Sequence, residues 1–393
     1  MPVLKPCIAP KSLLVILGVV LPTTQGSGQV NADPMILEIV AEAPVGFTKV
    51  GGVRELSDGR VLLVDQLEQE GYLLDRSLRS RSIITKKGSG PKEYRTPFWI
   101  VPLSGDSSGI IDIGSLRVLL LDSDGKPYDV VSGERAGGGR ILYLATTGYR
   151  YETDGRQFLY SDGAGSRWSP QGGVLLDSVA IERWRFGDVR RDTVAMMPIN
   201  RAGPFPHRPQ PEWAVCSDGR VVIAYPSPYR VAIVDPSGDR VLGAEISYDP
   251  VPVTGEIRER WHGERTADRL VHRAPRGGGG GYWYVRKGNP STEPEAWPKT
   301  LPPFLNDAVH CTPNHAIWIE RAVPPGLPVL VDEIDAQGTP VGQFRLPAGS
   351  RIVGFGQTAV FVVVKDALDL EHLIKLRVPG WGSTHSRGQQ PDS

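Results

Sequence analysis

The chain has 393 residues, with 44 basic and 44 acidic side chains, 40% hydrophobic and 22% charged overall. Balanced charge excludes the basic footprint that binding to nucleic acid or an anionic membrane surface requires, and the apolar share is enough for a real core. The 46 glycines and 35 prolines predict an all-β chain of many short strands joined by tight turns.

Residues 1–28 read as a secretory signal peptide. Lys5 and Lys11 precede an apolar run at 13–21, and the small residues Gly26 and Gly28 follow it. The run is about half the ~20 residues that a membrane-spanning helix needs. The expected destination is therefore the periplasm or the medium, with no membrane insertion after cleavage. Cys7 lies ahead of the apolar run, so the mature chain keeps Cys216 and Cys311. Two cysteines can form one bridge in an oxidising compartment. A pair of buried free thiols is the alternative, and sequence spacing does not choose between them.

A strand-like stretch at 35–43 (MILEIVAEA) leads into the first copy of a repeat. Residues 57–75 read SDGRVLLVDQLEQEGYLLD, and residues 217–235 read SDGRVVIAYPSPYRVAIVD. Asp-Gly tolerates positive φ and closes a hairpin. The run after it is apolar at consecutive positions, which predicts a strand covered on both faces. A third strand and a polar turn follow. Residues 109–125 repeat the Asp65-to-Asp75 interval with Asp112 and Asp122, and residues 153–160 contain a third SDGR-like turn, TDGR. Residues 308–338 form a stretched copy, and residues 352–378 form one that has lost the Asp-Gly pair. Six units, centred near residues 60, 110, 157, 220, 315 and 358, predict a six-bladed β-propeller over 29–379. Radial stacking of sheets covers both faces of each middle strand. The 35–43 stretch is expected to pair with the last unit and close the ring.

Residues 249–305 are an insertion between blades four and five. Thr254, Glu256, Ile257, Trp261 and Leu270 predict a short amphipathic helix over 254–270. Its arginines Arg258, Arg260, Arg265 and Arg269 alternate with acids, as on a solvated face held by i,i+4 pairs. An aromatic lid built from Trp261, Tyr282, Trp283 and Tyr284 is the alternative reading of the same residues. The five glycines at 277–281 lack the preceding strand and following Lys-Ser of a phosphate loop, and read as a linker. The tail at 380–393 is polar and predicted to be disordered.

Residues 84–125 resemble an NHL-type propeller repeat. In that family a glycine-rich connector ends in an acid and an aromatic, with a proline before the next inner strand. Gly88, Gly90, Pro91, Glu93, Tyr94 and Pro97 fill those places. Residues 208–241 resemble the exported six-bladed propellers related to the TolB-like group of bacteria. The resemblance implies a fold and an export route. Propellers host many unrelated functions, so it implies little about chemistry.

In such a blade the Asp-Gly turns share one rim, and the loops after each second strand surround the channel mouth on the other. The second-strand ends carry Asp65, Asp112, Tyr225, Glu320 and Lys365, with Tyr229, Arg230, Arg321 and Asp366 beside them. Converging there, these groups would suit a polar ligand. The plainer reading of the aspartates is that they accept N–H bonds in their own turns. The favoured function is a non-catalytic, cofactor-free binding module that meets a protein, glycan or small molecule at the mouth and the insertion. The alternative comes from a resemblance to lactonase and gluconolactonase propellers, which hold a divalent cation on the channel axis. Asp65, Asp112, Glu320 and Asn306 would then contribute oxygens to Ca²⁺, which takes about 6–8 of them. The cation would polarise a carbonyl and acidify bound water. The sequence has no GxSxG elbow, Walker loop, paired CxxC or HExxH. His310, Cys311 and His315 are better explained by an inner strand and its turn than by a metal cluster. His262 becomes a candidate base only if the inserted helix folds over the channel.

Overall fold

The computed structural model describes residues 33–132, 151–162, 177–185, 188, 190–200, 206–267, 269–273, 282–286 and 293–382. Residues 1–28, read above as a signal peptide, the glycine run at 277–281 and residues 383–393 lie outside them. Two N-terminal strands, β1 (Met35–Ile36) and β2 (Glu38–Glu42), precede the first full sheet. Blade one is β3 (Val50–Glu55), β4 (Val61–Asp65), β5 (Glu70–Leu74) and β6 (Arg81–Ile83). Blade two is β7 (Pro97–Pro102), β8 (Ser108–Asp112), β9 (Arg117–Leu121) and β10 (Pro127–Ser132). Blade three is β11 (Tyr151–Thr153), β12 (Phe158–Asp162), β13 (Ser178–Arg185) and β14 (Asp192–Pro198). Blade four is β15 (Glu212–Val215), β16 (Val221–Pro226), β17 (Tyr229–Val234) and β18 (Arg240–Leu242). The insertion contributes helix α1 (Gly255–Thr266) and the hairpin β19 (Arg269–Arg273) and β20 (Tyr282–Arg286). Blade five is β21 (Val309–Cys311), β22 (Ile317–Glu320), β23 (Pro328–Ile334) and β24 (Pro340–Ala348), and blade six begins with β25 (Arg351–Phe355), β26 (Ala359–Lys365) and β27 (Glu371–Arg377).

Every full blade is an antiparallel meander, and β2 supplies the fourth strand of blade six by pairing with β27. The expected closure by residues 35–43 is therefore made by Glu38–Glu42. Met35 and Ile36 instead add in parallel to the outer edge of blade five, opposite Phe344 and Arg345. The core consists of six apolar clusters, one in each seam between neighbouring blades. This explains the consecutive apolar runs. Within β4, Val61 and Leu63 enter the seam with blade six, while Leu62 enters the seam with blade two together with Val64. Toward the axis the inner strands crowd together, and a Cβ at Gly354 would lie 2.3 Å from the Val53 carbonyl oxygen.

The Asp-Gly turns are one residue longer than a two-residue hairpin. Gly59 donates to the Leu56 carbonyl and takes φ +84°, and Leu56 donates to Arg60 across the turn. Only the glycine needs positive φ. Asp58 stays on the ordinary side and accepts the Arg60 N–H at 2.9 Å. In blade five His315 occupies the glycine's place at φ +66°, and that copy looks stretched in sequence because residues 321–327 separate β22 from β23 where only 66–69 separate β4 from β5.

Helix α1 starts as expected, with the Thr254 hydroxyl capping the Ile257 N–H. It ends four residues early. Leu270 lies in β19, which pairs with Tyr282–Arg286, so Leu270 and the aromatics at 282–284 belong to a hairpin. Trp261 packs edge-on against Trp297, with centroids 5.4 Å apart. The ordered fold also runs past 379, since Trp381 stacks on Trp318 at 5.4 Å.

Candidate functional site

An antiparallel four-stranded blade places its first and third turns on one rim, and its second turn and the link to the next blade on the other. The second rim is the mouth. Chain linking the outer edge of one blade to the inner edge of the next crosses this face without a ladder partner, so its N–H groups need acceptors. Buried carboxylates supply them.

Asp65, at the end of β4, is fully buried. It accepts from Thr48 N (2.6 Å), Thr48 Oγ1 and Lys49 N (3.1 Å) on the entry to β3, and from Leu67 N and Glu68 N (both 3.2 Å) in its own turn. Burial raises its pKa above the ordinary carboxylate range, against the pull of the Thr48 bonds. Asp112 does the same for blade two, accepting from Arg95 N, Thr96 N, Gly114 N and Arg117 Nε. Asp162 accepts from the Trp213 indole at 3.2 Å. Glu320 lies 2.7 Å from His310 Nε2 and accepts the Ile352 N–H, the entry to blade six.

The other residues singled out from sequence do not converge on one point. Tyr225 faces the seam with blade three and its hydroxyl accepts from Arg240. Tyr229 is buried, and its hydroxyl donates to Asp332 at 2.6 Å; burial pushes its pKa well up, followed by the Asp332 charge. Arg321 lies beside it with a side chain 9% exposed, 3.0 Å from Asp332 and over the rings of Tyr229 and Tyr248. Arg230 is half-buried, paired across strands with Tyr225. Asn306 is exposed in the link into blade five, and Asp366 accepts from Leu368 N, Leu370 N and His372 in its turn.

Lys365 is different. It is the last residue of β26 and stands directly across the ladder from Glu371. Glu371 has a side chain only 2% exposed, accepts the Val50 N–H at 2.7 Å and lies 3.4 Å from Lys49 Nζ and 3.1 Å from Arg351 Nη2. One buried carboxylate thus holds the entry of blade one and draws two cations to the mouth, with Lys365 beside them. Partial desolvation, then the Arg351 charge, hold the Lys49 ammonium below the ordinary lysine range; Glu371 opposes this and Lys365 adds to it. Lys49, Arg351 and Glu371 escape a reading confined to second-strand ends. The signal that reaches them is topological, because strand entries and second-strand ends share one rim.

On the opposite rim, Cys216 and Cys311 are joined in a disulfide, Cα atoms 5.0 Å apart, tying the equivalent turns of blades four and five. His310 contacts Glu320, while His315 approaches Asp218 at 3.5 Å, so these residues serve separate partners. His262 sits on the insertion helix, 2.8 Å from Glu293.

No protein-family model matches the sequence, and no curated protein matches it. Among solved structures the chain is similar to a DUF4221 family member from Bacteroides vulgatus, 9% identical over 87% of this chain and 98% of that one, with a TM-score of 0.45. It is similar to the calcium-binding protein regucalcin from Agrobacterium tumefaciens, 10% identical over 87% and 96%, TM-score 0.41. It is also similar to a gluconolactonase from Xanthomonas campestris, 10% identical over 88% and 96%, TM-score 0.39. At such identities the likeness concerns the fold, and the propeller assignment rests on this chain's own strand ladders.

The residues named for a Ca²⁺ site do not fit one. The Asp65 and Asp112 oxygens face N–H and O–H donors, and a cation would have to displace those bonds. Glu320 is committed to His310 and Ile352. Among the described residues, no group of three or more His, Cys, Asp or Glu side chains is placed to hold a metal ion. No helix among the described residues is long and apolar enough to cross a membrane.

Proposed function

We propose that this chain is an exported, non-catalytic binding propeller whose ligand or partner sits on the mouth face. The observation that carries the reading is the use to which the mouth carboxylates are put. Asp65, Asp112, Glu320 and Glu371 hold strand entries in place through backbone N–H groups. Lys49, Arg351 and Lys365 on the same face remain partly exposed to solvent. The inserted helix leaves from the blade four-to-five link, which belongs to the same face, and adds contact surface there.

The deciding experiment is a thermal melt of residues 29–393 with calcium added and then removed by chelator. The binding reading expects an unmoved midpoint at every step. A ligand selective for the folded state adds ~2.7 kcal/mol at a hundredfold excess over its Kd. A saturable, chelator-reversible rise of several degrees would overturn the reading in favour of the cation-dependent hydrolase.

A further inference from the structure

Lys49, Arg351 and Lys365 come from strand ends more than 300 residues apart in sequence at the widest, yet they share one spot on the mouth where blade six meets blade one. Glu371 carries one negative charge against their three positive ones. It takes one Arg351 nitrogen and the Lys49 ammonium from below. Arg351 makes its protein bonds through Nη2 alone, to Glu371 and the Val50 carbonyl, so Nε and Nη1 have no protein acceptor among the described residues. The ion pair that Lys365 makes is with Asp369, at 3.6 Å and 87% exposed, where solvent screens it. The side chains of Lys49, Arg351 and Lys365 are 42%, 34% and 46% exposed. The site is therefore crowded with like charge and open to solvent. Both two-donor edges of the guanidinium include Nη2, so what Arg351 still offers an incoming carboxylate is single charge-assisted bonds from Nη1 or Nε.

We propose that the blade six–blade one seam of the mouth binds a small organic anion through its carboxylate, with Arg351 donating to it through Nη1 or Nε and Lys49 and Lys365 as flanking charges. This rests on the binding reading above and names the ligand chemistry. The anion sets a negative charge beside the Lys49 ammonium, which burial first and then the Arg351 charge hold down, so its binding raises the affinity of Lys49 for its proton. Glu371 stays a positioning residue that keeps Lys49 and Arg351 in place.

The test titrates the exported chain with succinate, against sodium chloride matched in ionic strength, reading the thermal midpoint and isothermal heats. Succinate is expected to bind saturably above the chloride control. Arg351→Gln is expected to weaken binding about tenfold or more, as for loss of a charge-assisted pair. Lys365→Gln is expected to weaken it about two- to fivefold. Lys365 holds no strand entry, so its variant stays informative if Arg351→Gln fails to fold. Arg79→Gln, on the other rim, should match wild type. Equal binding of succinate by wild type and Lys365→Gln together with Arg351→Gln overturns the proposal, as does binding no stronger than chloride. If carboxylates fail while a neutral glycan or a protein slows hydrogen exchange in the mouth loops, the anion site falls and the binding reading stands.

Discussion

The sharpest mutational prediction concerns Asp65. It is fully buried and meets five donors, of which Thr48 N, Thr48 Oγ1 and Lys49 N belong to the chain entering the first inner strand. Asp65→Asn keeps the shape and can keep the oxygen at Oδ1, which serves Lys49, Leu67 and Glu68. Its amide nitrogen then faces the Thr48 N–H, donor against donor. One stranded buried N–H costs about 1–3 kcal/mol, and losing the desolvated charge returns part of that, so about 1–2 kcal/mol is expected. Asp65→Ala removes every acceptor and should cost about 3–5 kcal/mol, near the figure for breaking a buried charge network. With a slope of about 2 °C per kcal/mol for a chain this large, the Ala variant melts roughly 6–10 °C lower. Scanning calorimetry with a matched urea melt reads both, and an unchanged urea slope would show that the compact state is the same. An Ala variant within about 0.5 kcal/mol of wild type refutes the idea that this carboxylate holds the strand entry.

Two further outcomes follow from the same physics. Reducing the Cys216–Cys311 bridge, or replacing both cysteines with serine, should lower stability by about 2–4 kcal/mol, since the bridge closes a loop with a sequence separation of 95; a melt with and without reductant checks this, and no change would mean the blade four–five seam holds without it. On acidification, Asp65 is no liability, because its raised pKa favours protonation in the folded state. Asp75 is the reverse case: the Ser77 hydroxyl and then the Ser80 N–H hold it down at about 2, against an ordinary 3.8. Its stabilising contribution is present above pH 3.8 and disappears as pH falls toward 2. Ser77→Ala should therefore flatten the midpoint-versus-pH curve between pH 5 and 2, and a curve parallel to wild type would contradict that assignment.

Much of the fold is legible in the sequence because each blade repeats a local demand. The SDGR turns mark positions where the chain needs a left-handed residue, and the unbroken apolar runs mark strands lying between two seams. Where another residue meets that demand, as His315 does, the repeat fades from view although the turn persists. The end of helix α1 was less legible: Leu270 continues the apolar spacing, but pairing with Tyr282–Arg286 draws it into a strand. The site was least legible of all. Asp65 and Asp112 stand out in sequence because they are structural and repeat with the blades. Arg351 and Lys365 lie on paired strands of blade six, but Lys49 joins them only through ring closure, and no local pattern connects it to them.

The clasp formed by β2 bears on how the molecule comes into being. Arg377 reaches Glu38 across 339 residues of sequence, so the last sheet stays one strand short until both its partners are present. Until β2 pairs with it, the free edge of β27 is a ready template for pairing with another chain, and a closure of such long range is intrinsically slow. The clasp therefore completes the sixth sheet and at the same time covers the strand edge that would otherwise invite pairing between copies.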